Sequence, residues 1–349
     1  MAAEPSAKAK AWAIFDHIVQ EAAPNGDHSD PWTRDPASGA LVYTPDFDVL
    51  TRLLGVPLYL RAVPRTGVPA LALDVWTSYE LRRAGFDSDA VWPRPSAPRV
   101  LPAPIVSLLQ KVTKPEREAL WNRLRGATPP AGAAASSASI LGKNYLKQVD
   151  VVMSNWVAGP ELLISTKRMD SSFGNNAANR VEESYGDAKN LRLRHPLAAL
   201  GFMYGLRSTI FNESPGIAEW LVDLLQKLGR EDDAYHAVTL IVMEYADDNA
   251  VEGSDDDAGD GKGALTEAGV TIDEPDTDTS VAATEGTIEV GAVETAMANL
   301  PLVTIRFDLV PAGLQPGRFI AEMTRRVLDA TPVNLHREAR RRMSNSMPG

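Results

Sequence analysis

The sequence predicts an α/β protein with a mixed central sheet flanked by helices and a mostly helical N-terminal lobe. Two short runs rich in Val, Ile and Leu lie close together at 149–153 and 161–167. The residues between them include Ser154-Asn155 and Gly159-Pro160, which are typical of the turn of a β-hairpin. Helix-like segments precede and follow this pair, and the apolar run at 236–243 predicts a buried strand. Strands and helices in this order favour a sheet covered by helices.

The N-terminal third contains helix candidates and ends in a linker-like segment. Apolar residues recur at helical spacing at 8–21, 46–54 and 71–84. The segment at 126–140 contains two consecutive prolines followed by Ala, Gly and Ser, a composition typical of a linker. We therefore expect an N-terminal lobe at 1–125 and a second domain at 141–349.

The second domain contains further predicted elements after the hairpin. Those predicted as helices lie at 175–187, 196–211, 217–228 and 317–328. The strand at 236–243 and another at 302–310 complete the predicted sheet. The segment at 217–228 is the clearest helix, because its Ile and Leu residues fall on one side.

Composition excludes several classes of protein. The chain has 349 residues, of which 44% are hydrophobic, and this is enough to bury a large core. No stretch approaches the ~20 apolar residues of a membrane span, and the N-terminus has no signal-peptide pattern, so we expect a cytoplasmic protein. The absence of cysteine excludes disulfides, zinc-thiolate sites and thiol catalysis. The five histidines are scattered along the chain, which argues against a histidine-based metal site.

The negative charge is concentrated in one segment. The net charge is −11, and 16 acidic residues against one lysine lie between Glu244 and Glu294, so the rest of the chain carries +4. The composition of about 245–294 predicts a disordered acidic insertion. Overall acidity therefore does not exclude binding to nucleic acid.

Three polar residues of the predicted hairpin are candidates for a catalytic site. Successive side chains of a strand point to opposite faces, so Ser165 and Lys167 share a face about 6.6 Å apart. Asp150 lies near the start of the neighbouring strand. A carboxylate and a lysine facing one cleft can hold a hard cation such as Mg²⁺ and stabilise the charge that develops on a phosphodiester during hydrolysis.

This pattern resembles the PD-(D/E)XK nuclease superfamily, which includes most type II restriction endonucleases. The residues that carry the resemblance are Asp150, the Ser165-Thr166-Lys167 strand and a glutamate on the following helix. Val149 replaces the proline of the motif, and Ser165 replaces its second acid. One branch of restriction enzymes is similar in having Ser-x-Lys on the strand and the displaced acid on the next helix. Glu182 and Glu183 lie 15 and 16 residues after Lys167, which fits that branch.

The resemblance implies a restriction-endonuclease-like core and a Mg²⁺-dependent, sequence-specific cleavage of double-stranded DNA. Asp150 and Glu182 would be the metal ligands, with Glu183 as the other possible acid. Lys167 would act as the base or as the electrostatic stabiliser, and Ser165 as a secondary contact. Palindromic sites favour two-fold symmetry, so the resemblance also implies a homodimer.

Other interpretations of the same residues remain open. Acids and lysines at strand ends are common as solvated surface. The chain is alternatively a DNA-binding or interaction protein that keeps the nuclease-like fold without cutting, or a nuclease for RNA or modified DNA. We expect DNA recognition by the N-terminal lobe. Basic residues lie near the proposed site at Lys167-Arg168, Lys189, Arg192 and Arg194, and more of them lie at 337–342 near the C-terminus. These are candidate phosphate contacts.

Overall fold

The computed structural model describes residues 4–126, 133–249 and 290–345. The helices of these residues are α1 (Ala7–Ala22), α2 (Phe47–Tyr59), α3 (Val68–Arg83), α4 (Ala103–Lys111), α5 (Lys114–Leu124), α6 (Phe173–Arg192), α7 (Ile210–Glu213), α8 (Pro215–Leu228), α9 (Val290–Ala298), α10 (Pro316–Ala330) and α11 (Arg337–Asn345). The strands are β1 (Trp32–Arg34), β2 (Leu41–Tyr43), β3 (Val91–Trp92), β4 (Ala138–Leu141), β5 (Leu146–Val149), β6 (Val151–Asn155), β7 (Gly159–Met169), β8 (Ala199–Arg207), β9 (Ala237–Glu244) and β10 (Thr304–Ile305). The predicted α/β class with a mixed, helix-flanked sheet is confirmed.

The central sheet has six strands in the order β10-β9-β8-β7-β6-β3. β3 pairs with β6 and β6 with β7 in antiparallel fashion, which confirms the predicted hairpin. β7, β8 and β9 are parallel, and α6 and α8 form the crossovers between them. The carboxyl ends of these three strands therefore meet at one edge of the sheet.

Two hydrophobic cores cover the two faces of this sheet. Leu162 and Ile164 face the core that includes residues of α1, α2, α3 and α10. Leu163 faces the other core, which includes residues of α6 and α8. The alternation along β7 confirms the predicted separation of its side chains onto two faces.

The N-terminal helices pack directly on the central sheet. Trp76 of α3 and Phe15 of α1 belong to the same core as Val151 and Ile164 of the hairpin. The short strand β3 forms the edge of the sheet beside β6. Residues 1–125 thus supply one covering layer and one edge strand to the sheet of the predicted second domain.

The predicted helix at 196–211 is wrong. Residues Ala199–Arg207 form β8, a strand whose residues are all buried, and only Ile210–Glu213 form a short helix. A continuous apolar run does not distinguish a buried parallel strand from a buried helix, because neither face of such a strand is polar. Gly201 and Gly205 are the feature that favours a strand here, since helix interiors disfavour glycine.

Several predicted boundaries also differ from the structure. Within the predicted linker, residues 127–132 lie outside the described residues, whereas Ala138–Leu141 form β4. Most of the predicted acidic insertion, 250–289, also lies outside them, and Val290–Ala298 are helical. The predicted strand at 302–310 is limited to Thr304–Ile305. No helix in the described parts of the chain is both long and apolar enough to cross a membrane.

Candidate functional site

The candidate site lies where the two strands of the hairpin separate. The last paired residues are Val151 of β6 and Ile164 of β7, but β7 continues to Met169. Asp150 occupies the bend between β5 and β6 at this fork. Its Oδ2 atom accepts a hydrogen bond of 2.7 Å from the backbone N–H of Thr166. The carboxylate therefore satisfies a donor on the edge of β7 that β6 no longer covers.

A second carboxylate reaches the same residue from the opposite side. Asp74 of α3 accepts a hydrogen bond from the hydroxyl of Thr166, and only 7% of Asp74 is exposed. Burial raises the pKa of Asp74 well above its usual value, and the negative charge of Asp150 raises it further. The hydrogen bond from Thr166 and the charges of Lys8 and Lys167 oppose this pKa shift. Two acids whose charges repel each other are thus held together by one threonine.

Asp74 was not identified in the sequence. It lies within the apolar stretch Leu73-Asp74-Val75-Trp76 of a helix that is buried over most of its length. An acid at a buried helix position is uncommon and usually has a specific partner. The apolar neighbours of Asp74 were the signal in the sequence. They point to a functional acid only once α3 is known to be buried on all sides.

Ser165 and Lys167 lie on the α6 face of β7, as predicted. Ser165 is buried and hydrogen-bonded to Tyr235, whose hydroxyl donates to the backbone oxygen of Ser184 at 3.0 Å. Burial raises the pKa of Tyr235, and the charges of Asp187 and Asp150 raise it further. Ser165 therefore helps to anchor α6 against β7, while the side chain of Lys167 remains partly exposed.

The structure distinguishes the two candidate glutamates of α6. Glu182 and Glu183 are both exposed, and the Oε1 atom of Glu183 lies 3.8 Å from the Nζ atom of Lys147 on β5. Lys147 also contacts Asp187 of α6, with 2.7 Å between Nζ and Oδ2. The sequence-based preference was for Glu182. The placement favours Glu183, because its carboxylate faces the strand that leads into Asp150.

Tyr145 completes this polar cluster beside the fork. Its hydroxyl donates a hydrogen bond of 2.9 Å to Oδ1 of Asp187. Burial and this hydrogen bond raise the pKa of Tyr145 to about 12. Lys147 and Tyr145 together hold Asp187, and so fix α6 relative to β5.

The positions of the acidic side chains decide which of them could hold the expected Mg²⁺. No group of three or more His, Cys, Asp or Glu side chains suited to a metal ion is found among the described residues. Asp74 and Asp150 are associated through Thr166. Carboxylate oxygens are the ligands that Mg²⁺ prefers, and a dication would relieve the repulsion that raises the pKa of Asp74. The donor chemistry therefore fits Mg²⁺ with two acids.

Most of the predicted phosphate contacts have protein partners. Lys189 lies 3.0 Å from Asp233, and Arg192 lies 2.7 Å from His236. At the C-terminus, Arg342 donates to the backbone oxygen of Arg83 at 2.8 Å. Arg340 donates to backbone oxygens that include those of Leu328 and Thr331. Arg341 pairs with Glu338. Arg340 and Arg342 thus attach α11 to the rest of the fold, whereas the pair of Arg341 and Glu338 lies within α11. For Arg194 and Arg337 the phosphate role stays a prediction.

Comparison with protein-family models, with curated proteins and with solved structures gives no match.

Proposed function

We propose that this protein is a Mg²⁺-dependent, site-specific endonuclease of double-stranded DNA, with a fold and site of the PD-(D/E)XK type. The observation that carries the proposal is the position of Asp150. It lies at the fork of β6 and β7 and is hydrogen-bonded to Thr166, the residue between Ser165 and Lys167. Asp74 adds a second acid on the α3 side of β7, and Lys167 lies on its α6 side.

Each residue has a chemical role in this proposal. Lys167 supplies positive charge for the phosphate oxygens in the transition state, or orients and deprotonates the attacking water. Asp150 and Asp74 provide oxygen ligands for the cation, and Glu183 replaces Glu182 as the displaced acid of α6. When bound, Mg²⁺ supplies charge neutralisation and a more acidic water. Ser165 positions α6 through Tyr235.

The proposal extends to partners and location. Restriction-type sites are usually palindromic, so a homodimer is the expected assembly. A cytoplasmic location is part of the same proposal, since such enzymes act on intracellular DNA.

A non-cutting DNA-binding protein is the second candidate. The observation that favours it is the association of only two carboxylates in the described residues, where three acidic ligands would make a stronger cation site. Both candidates bind DNA, but only the first requires Mg²⁺ for its activity.

Magnesium titration separates the two candidates. We expect calorimetry to detect Mg²⁺ binding to the wild-type protein, a loss of binding in Asp150→Asn, and plasmid cleavage that EDTA stops. Glu219→Gln, on the outer surface of α8, is the control for removal of one carboxylate. Absence of Mg²⁺-dependent cleavage across a mixed-sequence plasmid, together with intact DNA binding, would favour the non-cutting protein.

A further inference from the structure

Two arginines lie at the carboxyl ends of β7 and β8, beside the candidate site. The side chains of Arg168 and Arg207 are only 2% and 9% exposed. Arg168 pairs in register with Gly205, two residues before Arg207 on β8. Because alternate residues of a strand share a face, both arginines lie on the α3 side of the sheet, as does Thr166.

Each arginine keeps one buried nitrogen without a hydrogen-bond acceptor among the described residues, Nη2 of Arg168 and Nε of Arg207. The two differ in the exposure of the partner carboxylate, which is 20% for Asp170 and 91% for Asp247. Arg168 donates to Oδ1 of Asp170 at 2.9 Å and to the backbone oxygen of Pro69 at 3.2 Å. Arg207 stacks on Tyr245, with 4.5 Å from its guanidinium carbon to the ring centroid, and contacts Asp247 at 2.5 Å.

Asp247 is an unusual partner for a buried arginine. Its side chain is 91% exposed, and it follows β9 in a single short turn of helix. Water and salt screen so exposed a carboxylate, so this partner is readily displaced. Burying a guanidinium with an unmade Nε hydrogen bond is costly, and an anion with several oxygens would satisfy it better.

Tyr245 fixes the position of the Arg207 side chain by packing against its guanidinium. Burial, and after it the charge of Asp170, raises the pKa of Tyr245 to about 12. The charges of Arg168 and Arg207 act in the opposite direction. The ring is therefore neutral at physiological pH, and the guanidinium lies on its face as in other cation–π contacts. Glu244, the nearest further acid of β9, pairs with Arg306 at 2.8 Å. Asp170 and Asp247 are thus the carboxylates that neutralise the two arginines.

The location relates Arg207 to the candidate site. Thr166 pairs in register with Met203, four residues before Arg207 along β8, and both Thr166 and Arg207 face α3. Four strand residues span roughly 13 Å, which is the length of a few nucleotides of a nucleic-acid strand. A strand whose scissile phosphate lies at the fork would bring another phosphate close to Arg207.

We propose that Arg207 binds a backbone phosphate of nucleic acid, and that the Asp247 carboxylate occupies the same position when nucleic acid is absent. This inference rests on the proposed function, because it assumes that nucleic acid lies at the fork. Tyr245 holds the guanidinium in place, and Asp247 acts as an internal competitor. Removing the competitor strengthens binding, whereas removing Arg207 weakens it.

The test measures binding of a fluorescent mixed-sequence duplex in EDTA, over a series of salt concentrations. We expect Asp247→Asn to bind about two- to five-fold more tightly than wild type, the factor expected from an exposed ion pair. Arg207→Gln binds more weakly, with a slope of log K against log salt lower by about 0.9. Arg207→Lys retains the charge and recovers part of the slope. Arg306→Gln is the matched control, because it removes one arginine that pairs with Glu244 and Asp308. The affinity of this variant for the duplex stays within about two-fold of that of the wild-type protein.

The outcomes separate this inference from the proposed function. Arg207-dependent binding without Mg²⁺-dependent cleavage would support the phosphate site and remove the nuclease. Cleavage with unchanged affinity in both Asp247→Asn and Arg207→Gln would retain the nuclease and overturn the phosphate site. A rise in melting temperature with inorganic phosphate that Arg207→Gln abolishes, in a protein that binds no duplex, would assign the site to free phosphate and overturn the nucleic-acid inference.

Discussion

Thr166 organises the candidate site at the scale of single residues. Its backbone N–H binds Asp150 at 2.7 Å, and its hydroxyl binds Asp74 from the other side. Neighbouring residues of a strand point to opposite faces, so Ser165 and Lys167 are directed toward α6 while Thr166 is directed toward α3. Three consecutive residues therefore present Asp74 on the α3 side of β7 and Lys167 on the opposite, α6 side.

Asp74 makes stability depend on pH in a direction opposite to that of most carboxylates. Its pKa is raised in the folded protein above the usual 3.8, so the folded state retains a proton that the unfolded state releases. The stability from this group is fully present below about pH 3.8 and is lost as the pH rises toward the folded pKa. Between pH 3.8 and the pKa of Asp74 in the folded protein, the free energy of unfolding falls by about 1.4 kcal/mol for each pH unit. We expect Asp74→Asn to remove this pH dependence.

Urea unfolding of wild type and Asp74→Asn between pH 4 and pH 8 provides the measurement. Asp223→Asn, a change at an exposed acid of α8, serves as the control and should follow the wild-type curve. Parallel curves for wild type and Asp74→Asn would show that Asp74 is ionised in the folded protein at all these pH values.

At the scale of elements, α6 determines which glutamate serves the site. Consecutive helix residues point about 100° apart, so Glu182 and Glu183 cannot both face β5. We expect Glu183→Ala to lower the cleavage rate by about 10- to 100-fold, as for residues that support a metal site, and Glu182→Ala to change it less than about two-fold. Adding Ser165→Glu to Glu183→Ala should restore part of the rate, since it returns an acid to the strand. Equal rates for the two alanine variants would contradict the displaced acid.

The close packing of β8 against α10 gives a second prediction at this scale. A Cβ atom added to Gly201 would lie 2.7 Å from the Phe319 ring and 2.9 Å from the Met323 sulfur. We expect Gly201→Ala to lower the free energy of unfolding by about 1–3 kcal/mol. Gly216→Ala in α8, where a Cβ meets nothing within 4 Å, should leave stability unchanged or raise it. Similar melting temperatures for both variants would refute this account of the packing.

The elements that the sequence predicted well have a clear local signal. α8 repeats with one polar side because one of its faces is toward solvent. The hairpin was predicted from the turn residues between two apolar runs, since both faces of β7 are buried. β8 was assigned to the wrong class because both of its faces are buried between α3, α10 and the α6 layer. Asp74 was missed for a related reason, since its partner Thr166 is 92 residues away in sequence. Contacts of that range depend on the tertiary structure.

At the scale of the whole molecule, the N-terminal helices and the sheet share one core. Trp76 of α3 and Phe15 of α1 pack with Val151 and Ile164 of the hairpin, and Asp74 binds Thr166 across the same interface. We expect a single cooperative unfolding transition, with coincident curves from tryptophan fluorescence and far-ultraviolet circular dichroism. A fragment of residues 141–349 should not fold alone, because one face of its sheet would be bare. Two separate transitions would contradict the shared core.

The central claim is that Lys167, beside Asp150 at the fork, promotes phosphodiester cleavage. The most direct test is the single-turnover cleavage of a mixed-sequence plasmid with Mg²⁺, followed by sequencing of the ends. We predict cuts at a defined sequence by the wild-type protein and by Lys227→Ala, which removes an exposed lysine of α8. We predict a rate at least about 100-fold lower for Lys167→Ala, with duplex affinity almost unchanged because affinity comes mainly from distributed phosphate contacts. Cleavage by Lys167→Ala at the wild-type rate would contradict the account.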